Sequence, residues 1–563
     1  MCGTTGEMHL PSSVELTRRV FGREDMHEYQ EEAVTFLKNN PFSALFIDTG
    51  LGKTVISLTL LDELFQKFDF GRALVIAPLR VAAQTWPNEI PQWSHTSYIN
   101  YEVLRAEDDD AEVISAGKAA YQAAFAAEEN IQKAEQARID LRGLGDTPEG
   151  AAAFSKWYRK ALANRAAGKA RTAAKEALRQ KKLKSRASVH IIDAEHVEWL
   201  VDQFTDWKKT SPGRRKRKIK DWPYDTIIID ESSMFKDHST ARFRALFSVR
   251  MSGYVTRLHE LTATPASETY LHLFPQIALM DGGKRLGLNI TSYRERYFVQ
   301  GYNRYSWKIR PGAEQEISEV ISDICLVMKS RDYLDEEEPL FLPRKLKLTD
   351  EQMARYRSME RDSILPLIGD ASEAAIVEAI TAADLKGKLC QLASGAIYNP
   401  AGGYEIFHEH KIEDLAQLRE ELGDSPVFIA YWYQHTKDRL KRAFPKMRFM
   451  DKKGASVTPW NAGKIRDLAA HPQGVSHGLN MQYGPGHDIY FFDCPFSGEK
   501  FYQFWRRIAR QGQTKQCRIH LPQVIGTADF ELVEAQREKE DAQERLFRYI
   551  KQRRNEIMRE DSL

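Results

Sequence analysis

The 563-residue chain contains no run of about 18 apolar residues, which excludes a transmembrane helix. Its first residues, MCGTTGEMHLPSS, lack a basic patch followed by an apolar core, so no secretory signal is expected there. Cysteine is scarce. Cys2, Cys325, Cys390, Cys494 and Cys517 include no CxxC pair and are odd in number, which argues against a zinc site or a disulfide framework and for a reducing cytosol. An excess of either charge is also missing: 81 Lys and Arg stand against 79 Asp and Glu, a net charge of +2. That balance neither supports nor excludes a nucleic-acid partner, because what matters is whether the basic residues gather on one surface. Hydrophobic residues make up 42% and charged residues 28%, enough to bury sizeable cores, and the length suffices for about three or four domain-sized units.

Apolar strand-like runs alternate with helical segments in the first half: SALFID (43–48), ALVIAP (73–78), VHIID (189–193), TIIID (226–230) and LHELTAT (258–264). A second set follows at VFIAY (427–431), MRFM (447–450), DIYFFD (488–493) and QCRIHL (516–521). The alternation predicts an α/β fold with two parallel-sheet lobes. Lobe one is expected over 1–265, an inter-lobe helical region over 266–345, lobe two over 346–526 and a charged helix over 527–563. Phe530, Leu532, Val533, Leu546 and Ile550 would pack that last helix onto the body. Residues 105–188 interrupt lobe one with good helix formers and read as a hairpin of two long helices broken near RGLGDTPEG (142–150), with Thr147 as cap and Pro148 in the first turn. The hairpin is either a solvated spacer or a clamp for nucleic acid or a protein partner. The basic run GRRKRKIK (213–220) reads as a localisation signal, a solvated loop or a phosphate-contacting loop.

Four elements carry chemistry. SALFIDTGLGKT (43–54) is a strand, a glycine turn and a helix start, which lets backbone N–H groups of Thr49, Gly50, Leu51 and Gly52 curl around phosphate oxygens at a positive helix end. Lys53 would meet the β- and γ-phosphates and Thr54 would ligate Mg²⁺. Ile47 stands where the strict phosphate-loop pattern has a glycine, so the match is to the shorter GxGKT form. TIIIDESS (226–233) ends a buried strand in two carboxylates: Asp230 suits the Mg²⁺ shell and Glu231 suits deprotonating the attacking water. LTATP (261–265) is a polar turn whose Thr262 and Thr264 would link these acids to a nucleic-acid face. QFWRRIARQGQ (503–513) places Gln503, Arg507 and Arg510 on one helical face, where the arginines would stabilise charge on a transferring phosphoryl group. Taken singly, each segment is also explained by an ordinary turn, strand end or surface helix; the conjunction is not.

In order and spacing these segments resemble the Swi/Snf-type DNA translocases of helicase superfamily two, over roughly residues 26–540 without the insertion. HEYQEEAVTFL (27–37) looks like the opening segment, which implies that Gln30 reads the adenine. ALVIAPLRVAAQTW (73–86) looks like the motif that touches the nucleic-acid backbone, implying Arg80 and Gln84 as contacts. DESSMFKD (230–237) looks like the DEAH box, LTATP like the LTGTP turn, SRDYLDEEEPLFLP (330–343) like the joining segment and KGKLCQLASGAIY (386–398) like the entry to lobe two. VSHGLNMQ (475–482) looks like the GLNL motif, implying Ser476, Gly478 and Asn480 as strand contacts, and RRIARQGQ (506–513) like the RAHRIGQ arginine motif. The chain departs from the family where Ser233 replaces the DEAH histidine, where the inter-lobe span is short for chromatin remodellers, and in lacking a recognisable reader segment. A compact bacterial or viral member is therefore expected.

The resemblance implies ATP and Mg²⁺ as cofactors, duplex or branched DNA as partner, and a cytoplasmic setting, with the nucleus as the alternative. Tyr431, Trp432 and Tyr433 would stack on bases or pack into the core. Two other functions fit much of the same residue set. One is a strand-separating helicase on DNA or RNA, which would need a wedge element; the other is a nucleotide-gated scaffold with little turnover, which would not need Glu231 and both arginines together.

Overall fold

The computed structural model describes residues 20–140, 148–211, 214–301, 306–334, 337–364, 374–399, 402–451, 454–475 and 479–560. The continuous apolar runs form buried parallel strands, as runs without polar alternation do when both faces of a sheet are covered. Seven strands build lobe one: β1 (Phe42–Ile47), β2 (Ala73–Ala77), β3 (Tyr101–Val103), β4 (Val189–Asp193), β5 (Thr226–Asp230), β6 (Arg257–Thr262) and β7 (Cys325–Met328), in the spatial order β7-β1-β6-β5-β2-β4-β3. Six build lobe two: β8 (Leu340–Leu346), β9 (Val427–Ala430), β10 (Arg448–Phe449), β11 (Asp467–Ala470), β12 (Asp488–Phe491) and β13 (Arg518–Val524), in the order β8-β13-β12-β9-β11-β10. Every pairing in the two sheets is parallel, and together they make two RecA-like lobes.

Four helices position the site: α1 (Glu28–Asn39), α2 (Lys53–Gln66), α3 (Gly498–Trp505) and α4 (Ala528–Glu560). The last spans both lobes. Leu532 and Val533 are buried in the core of lobe two, whereas Leu546, Phe547 and Ile550 are buried in that of lobe one. Polar contacts follow the same path: Gln536 bonds the Pro495 carbonyl at 3.0 Å in lobe two, and Gln543 bonds the Ala263 carbonyl at 3.0 Å in lobe one.

Three sequence expectations change. The stretch 266–345 is not simply an inter-lobe helical region. It contains helices such as Leu273–Asp281 and Ala313–Ile321, but it also supplies β7 to the first sheet and most of β8 to the second. The four-residue run CLVM is too short to stand out, yet pairing with β1 buries all of it. The first arm of the insertion is two helices, Ala111–Ala126 and Glu128–Asp140, separated at Ala127, whose extended backbone (φ −62°, ψ 128°) interrupts the helical hydrogen bonds. The second arm runs Pro148–Leu183; residues 141–147, including Thr147, lie outside the described residues. Most of the basic run is a strand, not a loop. Arg214–Ile219 pairs antiparallel with Thr205–Ser211, and Trp207 faces Arg217, whose guanidinium lies 4.8 Å from the indole ring.

Candidate nucleotide site

β1 ends at Ile47, and the next five residues turn the chain into α2. Two of them need positive φ, Gly50 at 102° and Gly52 at 85°, a region that costs other residues a Cβ clash. Gly52 has a second constraint, because an added Cβ would lie 2.3 Å from Gln30 Nε2. Gln30 donates from Nε2 to the Leu51 carbonyl at 3.1 Å and accepts the His27 N–H at 3.0 Å, so one side chain both closes the start of α1 and braces the glycine turn. The Thr49 hydroxyl is buried with no hydrogen-bond partner. Lys53 Nζ donates to the carbonyls of Ile47 (3.0 Å) and Asp48 (3.3 Å). Burial pulls the Lys53 pKa down, against the opposing pull of Glu231, Asp230 and Asp48.

Asp230, at the end of β5, accepts the Trp86 indole N–H at 3.0 Å. Burial raises its pKa, opposed by Trp86 and Lys53. Glu231 sits in the left-handed region (φ 72°, ψ 67°), a conformation that costs a non-glycine residue about 1 kcal/mol and is retained where surrounding structure enforces it. Here the Glu231 N–H bonds the Leu261 carbonyl at 2.8 Å, and Oε1 accepts the hydroxyls of Thr262 (2.7 Å) and Ser233 (2.8 Å). Burial and then the nearby Glu499 raise the proton affinity of Glu231, against Lys53, Thr262 and Ser233.

Lobe two supplies the opposite wall. α3 ends at Trp505, and Arg506–Arg510 continue as tight turns, with Ile508 N–H on the Trp505 carbonyl and Arg510 N–H on the Ile508 carbonyl. The expected single helical face for Gln503, Arg507 and Arg510 is therefore corrected, yet both arginines still reach the cleft. Arg507 Nε donates to the Gln503 carbonyl at 3.1 Å; burial, and then Arg510, bring its pKa to about 9. A Cβ added at Gly50 would lie 3.6 Å from Arg510 Nε, so the glycine turn and this arginine are already neighbours. A cavity of about 570 Å³ between the lobes is lined by Gln30, Thr49, Gly50, Gly52, Lys53, Thr54, Asp230 and Glu231 on one side and Arg507 and Arg510 on the other.

Several expected roles move. Arg80, Gln84 and Asn480, read as nucleic-acid contacts, line this same cavity. Arg80 Nη1 also reaches the Gly474 carbonyl of lobe two at 3.4 Å. Thr262 and Thr264 are buried and present nothing to a nucleic-acid surface; Thr262 holds Glu231 and receives the Thr264 N–H at 3.0 Å. Gln503 is buried away from the cavity lining and donates to Glu499 at 3.2 Å. Ser476 and Gly478 lie outside the described residues. The aromatic triplet is committed locally: Tyr431 is buried in the lobe-two core, Trp432 packs on His471 with ring centres 4.8 Å apart, and Tyr433 on His435 at 5.0 Å.

Three residues that the sequence reading did not assign matter at the site. Trp86 orients Asp230. Glu89, three residues on, lines the cavity, and burial followed by the neighbouring Asp230 raises its pKa to about 7, opposed by a hydrogen bond with Thr54 and by Arg510. Glu499 comes from the other lobe. The i, i+3 spacing of Trp86 and Glu89 on a short helix was a signal that could have been used; Glu499 had none.

The donor set fits Mg²⁺ with a nucleotide. The Thr54 hydroxyl and the Asp230 carboxylate are hard oxygen donors on one cavity, and no cluster of three or more metal-ligating His, Cys, Asp or Glu side chains occurs among the described residues. Mg²⁺ held by one or two protein oxygens plus phosphates needs no more. The unpartnered Thr49 hydroxyl and the two positive-φ glycines fit a phosphate chain equally well.

Residues 29–284 match the sequence profile of the SNF2-related domain. Over that segment the chain is similar to SNF2-related domains. Its similarity to putative protein p41 of Acyrthosiphon pisum secondary endosymbiont phage 1 is 29% identity over 540 residues, covering 93% of this chain and 98% of the phage protein. Chromodomain-helicase-DNA-binding protein 8 of Xenopus tropicalis is 35% identical over 92 residues, 16% of this chain and 4% of that protein. Among solved structures, the Sulfolobus solfataricus SWI2/SNF2 ATPase core in complex with dsDNA is similar at 15% identity, with 89% of this chain and 88% of that chain covered and a TM-score of 0.36. The matched stretch, residues 29–284, contains the glycine turn, Lys53, Thr54, Asp230 and Glu231 gathered in the cleft.

Proposed function

We propose that this protein is a DNA-dependent ATPase that translocates along double-stranded DNA. The observation that carries the reading is the inter-lobe cavity, where the phosphate-loop residues and paired acids of lobe one face two arginines of lobe two. A scaffold that only bound nucleotide would have no use for a strained, doubly hydrogen-bonded Glu231 opposite Arg507 and Arg510. The SNF2-related domain and the local similarity to chromodomain-helicase-DNA-binding proteins support DNA as the track.

In this reading Thr54 and Asp230 hold Mg²⁺, which when bound neutralises phosphate charge. Lys53 and the backbone N–H groups of the glycine turn bind the phosphates. Glu231, fixed by Thr262 and Ser233, accepts a proton from the attacking water. Arg507 and Arg510 stabilise charge on the transferring group, a contribution available only while the lobes are apposed. Turnover is thereby tied to closure of the cleft, and closure moves one lobe against the other. Grip through phosphates would give little sequence preference and a strong salt dependence.

The test is ATP turnover with Mg²⁺ on duplex, branched and single-stranded DNA and on RNA. The reading predicts the largest stimulation by duplex or branched DNA and a loss of about 10²- to 10⁴-fold in Glu231→Gln, with nucleotide binding kept. Stimulation by single strands or RNA alone would point instead to a strand-separating helicase, and no turnover on any substrate to a nucleotide-gated scaffold.

A further inference from the structure

α3 touches lobe one at both ends. At its start, Gly498 N–H donates to Glu268 Oε1 at 2.8 Å, and a Cβ on Gly498 would lie 2.6 Å from the Ser267 carbonyl oxygen, so only glycine allows this approach. The next residue, Glu499, is buried and crosses the cleft. Its Oε2 accepts from Lys236 Nζ at 2.9 Å, and its Oε1 lies 3.3 Å from the Ser233 hydroxyl. At the far end, Tyr502 OH donates to Asp48 Oδ1 at 2.9 Å and Arg506 Nη2 to Asp48 Oδ2 at 3.3 Å.

These lobe-one partners flank the two loops that do the chemistry. Asp48 immediately precedes the glycine turn, and Ser233 and Lys236 lie two and five residues after Glu231. Ser233 has one proton and two carboxylates within reach, Glu231 at 2.8 Å and Glu499 at 3.3 Å; the shorter contact goes to Glu231, and Lys236 compensates Glu499. The side chain that replaces the DEAH-type histidine is thus small enough to admit a carboxylate from the other lobe. A carboxylate buried in this way is sustained by its partners, and removing one of them leaves a charge unpaired.

We propose that Glu499 is a positioning residue for ATP hydrolysis: by docking on Lys236 and Ser233 it sets where α3 stops against lobe one, and so where Arg507 and Arg510 stand relative to Glu231. The proposal rests on the ATPase reading. Glu499 acts through other groups and is absent from the cavity lining, whereas Gln30, the glycine turn, Lys53 and Thr54 all belong to lobe one. Losing it should therefore lower kcat while leaving nucleotide affinity in place, since sub-ångström to ångström misplacement of catalytic groups costs rate.

The experiment compares DNA-stimulated ATP turnover of wild type, Glu499→Gln, Glu499→Ala, Lys236→Met and the Glu499→Gln/Lys236→Met double variant in the full chain, with binding of a fluorescent ATP analogue measured in parallel. Glu499→Gln is nearly isosteric and carries the test if Glu499→Ala does not fold. We expect kcat to fall about 10- to 100-fold in the single variants, KM for ATP and analogue affinity to stay within about twofold, and the double variant to be no slower than the slower single one, because both changes break the same contact. Wild-type rates in both Glu499 variants, multiplicative losses in the double variant, or a loss confined to KM would each overturn the proposal. A wild type that does not turn over would remove the ATPase reading itself, and this proposal with it. A wild type that turns over beside indifferent Glu499 variants would remove this proposal alone.

Discussion

The two lobes are built on the same kind of parallel sheet, yet they use the carboxylates beyond their strand ends in opposite ways. In lobe one, Asp230 ends a central strand, Glu231 follows it, and both line the ligand cavity. In lobe two, the comparable carboxylate Asp493, two residues past β12, is spent on its own lobe: it accepts the Ser394 hydroxyl at 2.5 Å and the N–H groups of Trp432 and Tyr433 at 2.8 and 3.3 Å. Lobe two keeps the scaffold and contributes cations instead. Similar architecture can thus serve as catalyst or as closing jaw, depending on whether a strand-end acid faces a ligand or its own backbone.

The comparison can be broken at its strongest point by removing a lobe-two cation. Arg510→Ala should lower DNA-stimulated kcat by about 10³-fold while analogue binding survives, because an arginine of this kind acts on charge developed in the transition state. Equal losses in binding and rate would mean that lobe two binds ground-state nucleotide and that the division of labour is wrong. Next in size, Asp493→Ala should cost about 2–3 kcal/mol of stability, since it leaves buried donors without an acceptor, with KM for ATP unaffected; urea unfolding alongside steady-state kinetics reads both. A change in KM without destabilisation would make Asp493 part of the site.

Acid should act on one buried histidine in each lobe in the same direction, although the buried acids of lobe one, Glu89 among them, work against it. Burial, and then Arg257, hold His259 in lobe one at about 3, and burial holds His408 in lobe two at about 3 as well, with His410 and Arg439 adding to it. Above pH 6.5 such a histidine is neutral in both folded and unfolded chains and contributes nothing. As pH falls below 6.5 the unfolded chain gains a proton that the fold refuses until about pH 3, so stability is lost across that window, by about 2 kcal/mol per residue at pH 5. Urea unfolding at pH 7 and pH 5 checks this by comparison with His259→Phe and His408→Phe: the change between the two pH values should be shifted towards greater stability at pH 5 in each variant relative to wild type, and an unaltered pH dependence in both variants contradicts it. The smallest effect belongs to the insertion. Gly168 lies within the helix Pro148–Leu183, and an added Cβ would meet nothing within 4 Å. Gly168→Ala should therefore raise stability by about 0.5–1 kcal/mol in thermal melts and leave turnover unchanged.

Much of this was legible in the sequence because the relevant physics is local. Uninterrupted apolar runs betray strands buried on both faces, and the glycines before Lys53 betray a turn that needs positive φ. What stayed hidden depends on tertiary context. β7 is four residues long and becomes a strand only by pairing with β1. The basic run around Arg217 reads as a localisation signal, a solvated loop or a phosphate-contacting loop, and its strand emerges only when Thr205–Ser211 pairs with it. Arg80 and Gln84 carry the residue types of nucleic-acid contacts, but the chain after β2 turns them into the nucleotide cavity. Thr262 and Thr264 looked accessible as turn residues, whereas the Glu231 carboxylate draws Thr262 into a buried network. Glu499 and Asp48 have significance only across the cleft, where no sequence spacing connects residues 263 and 458 positions from their partners.

The central claim is that hydrolysis in this cleft drives movement along duplex DNA, and displacement of a triplex-forming oligonucleotide from a duplex track tests it most directly. The account predicts ATP-dependent release of the third strand by the wild-type chain, abolished in Glu231→Gln and slowed in Arg510→Ala. DNA-stimulated ATP turnover without any release of the third strand would contradict it.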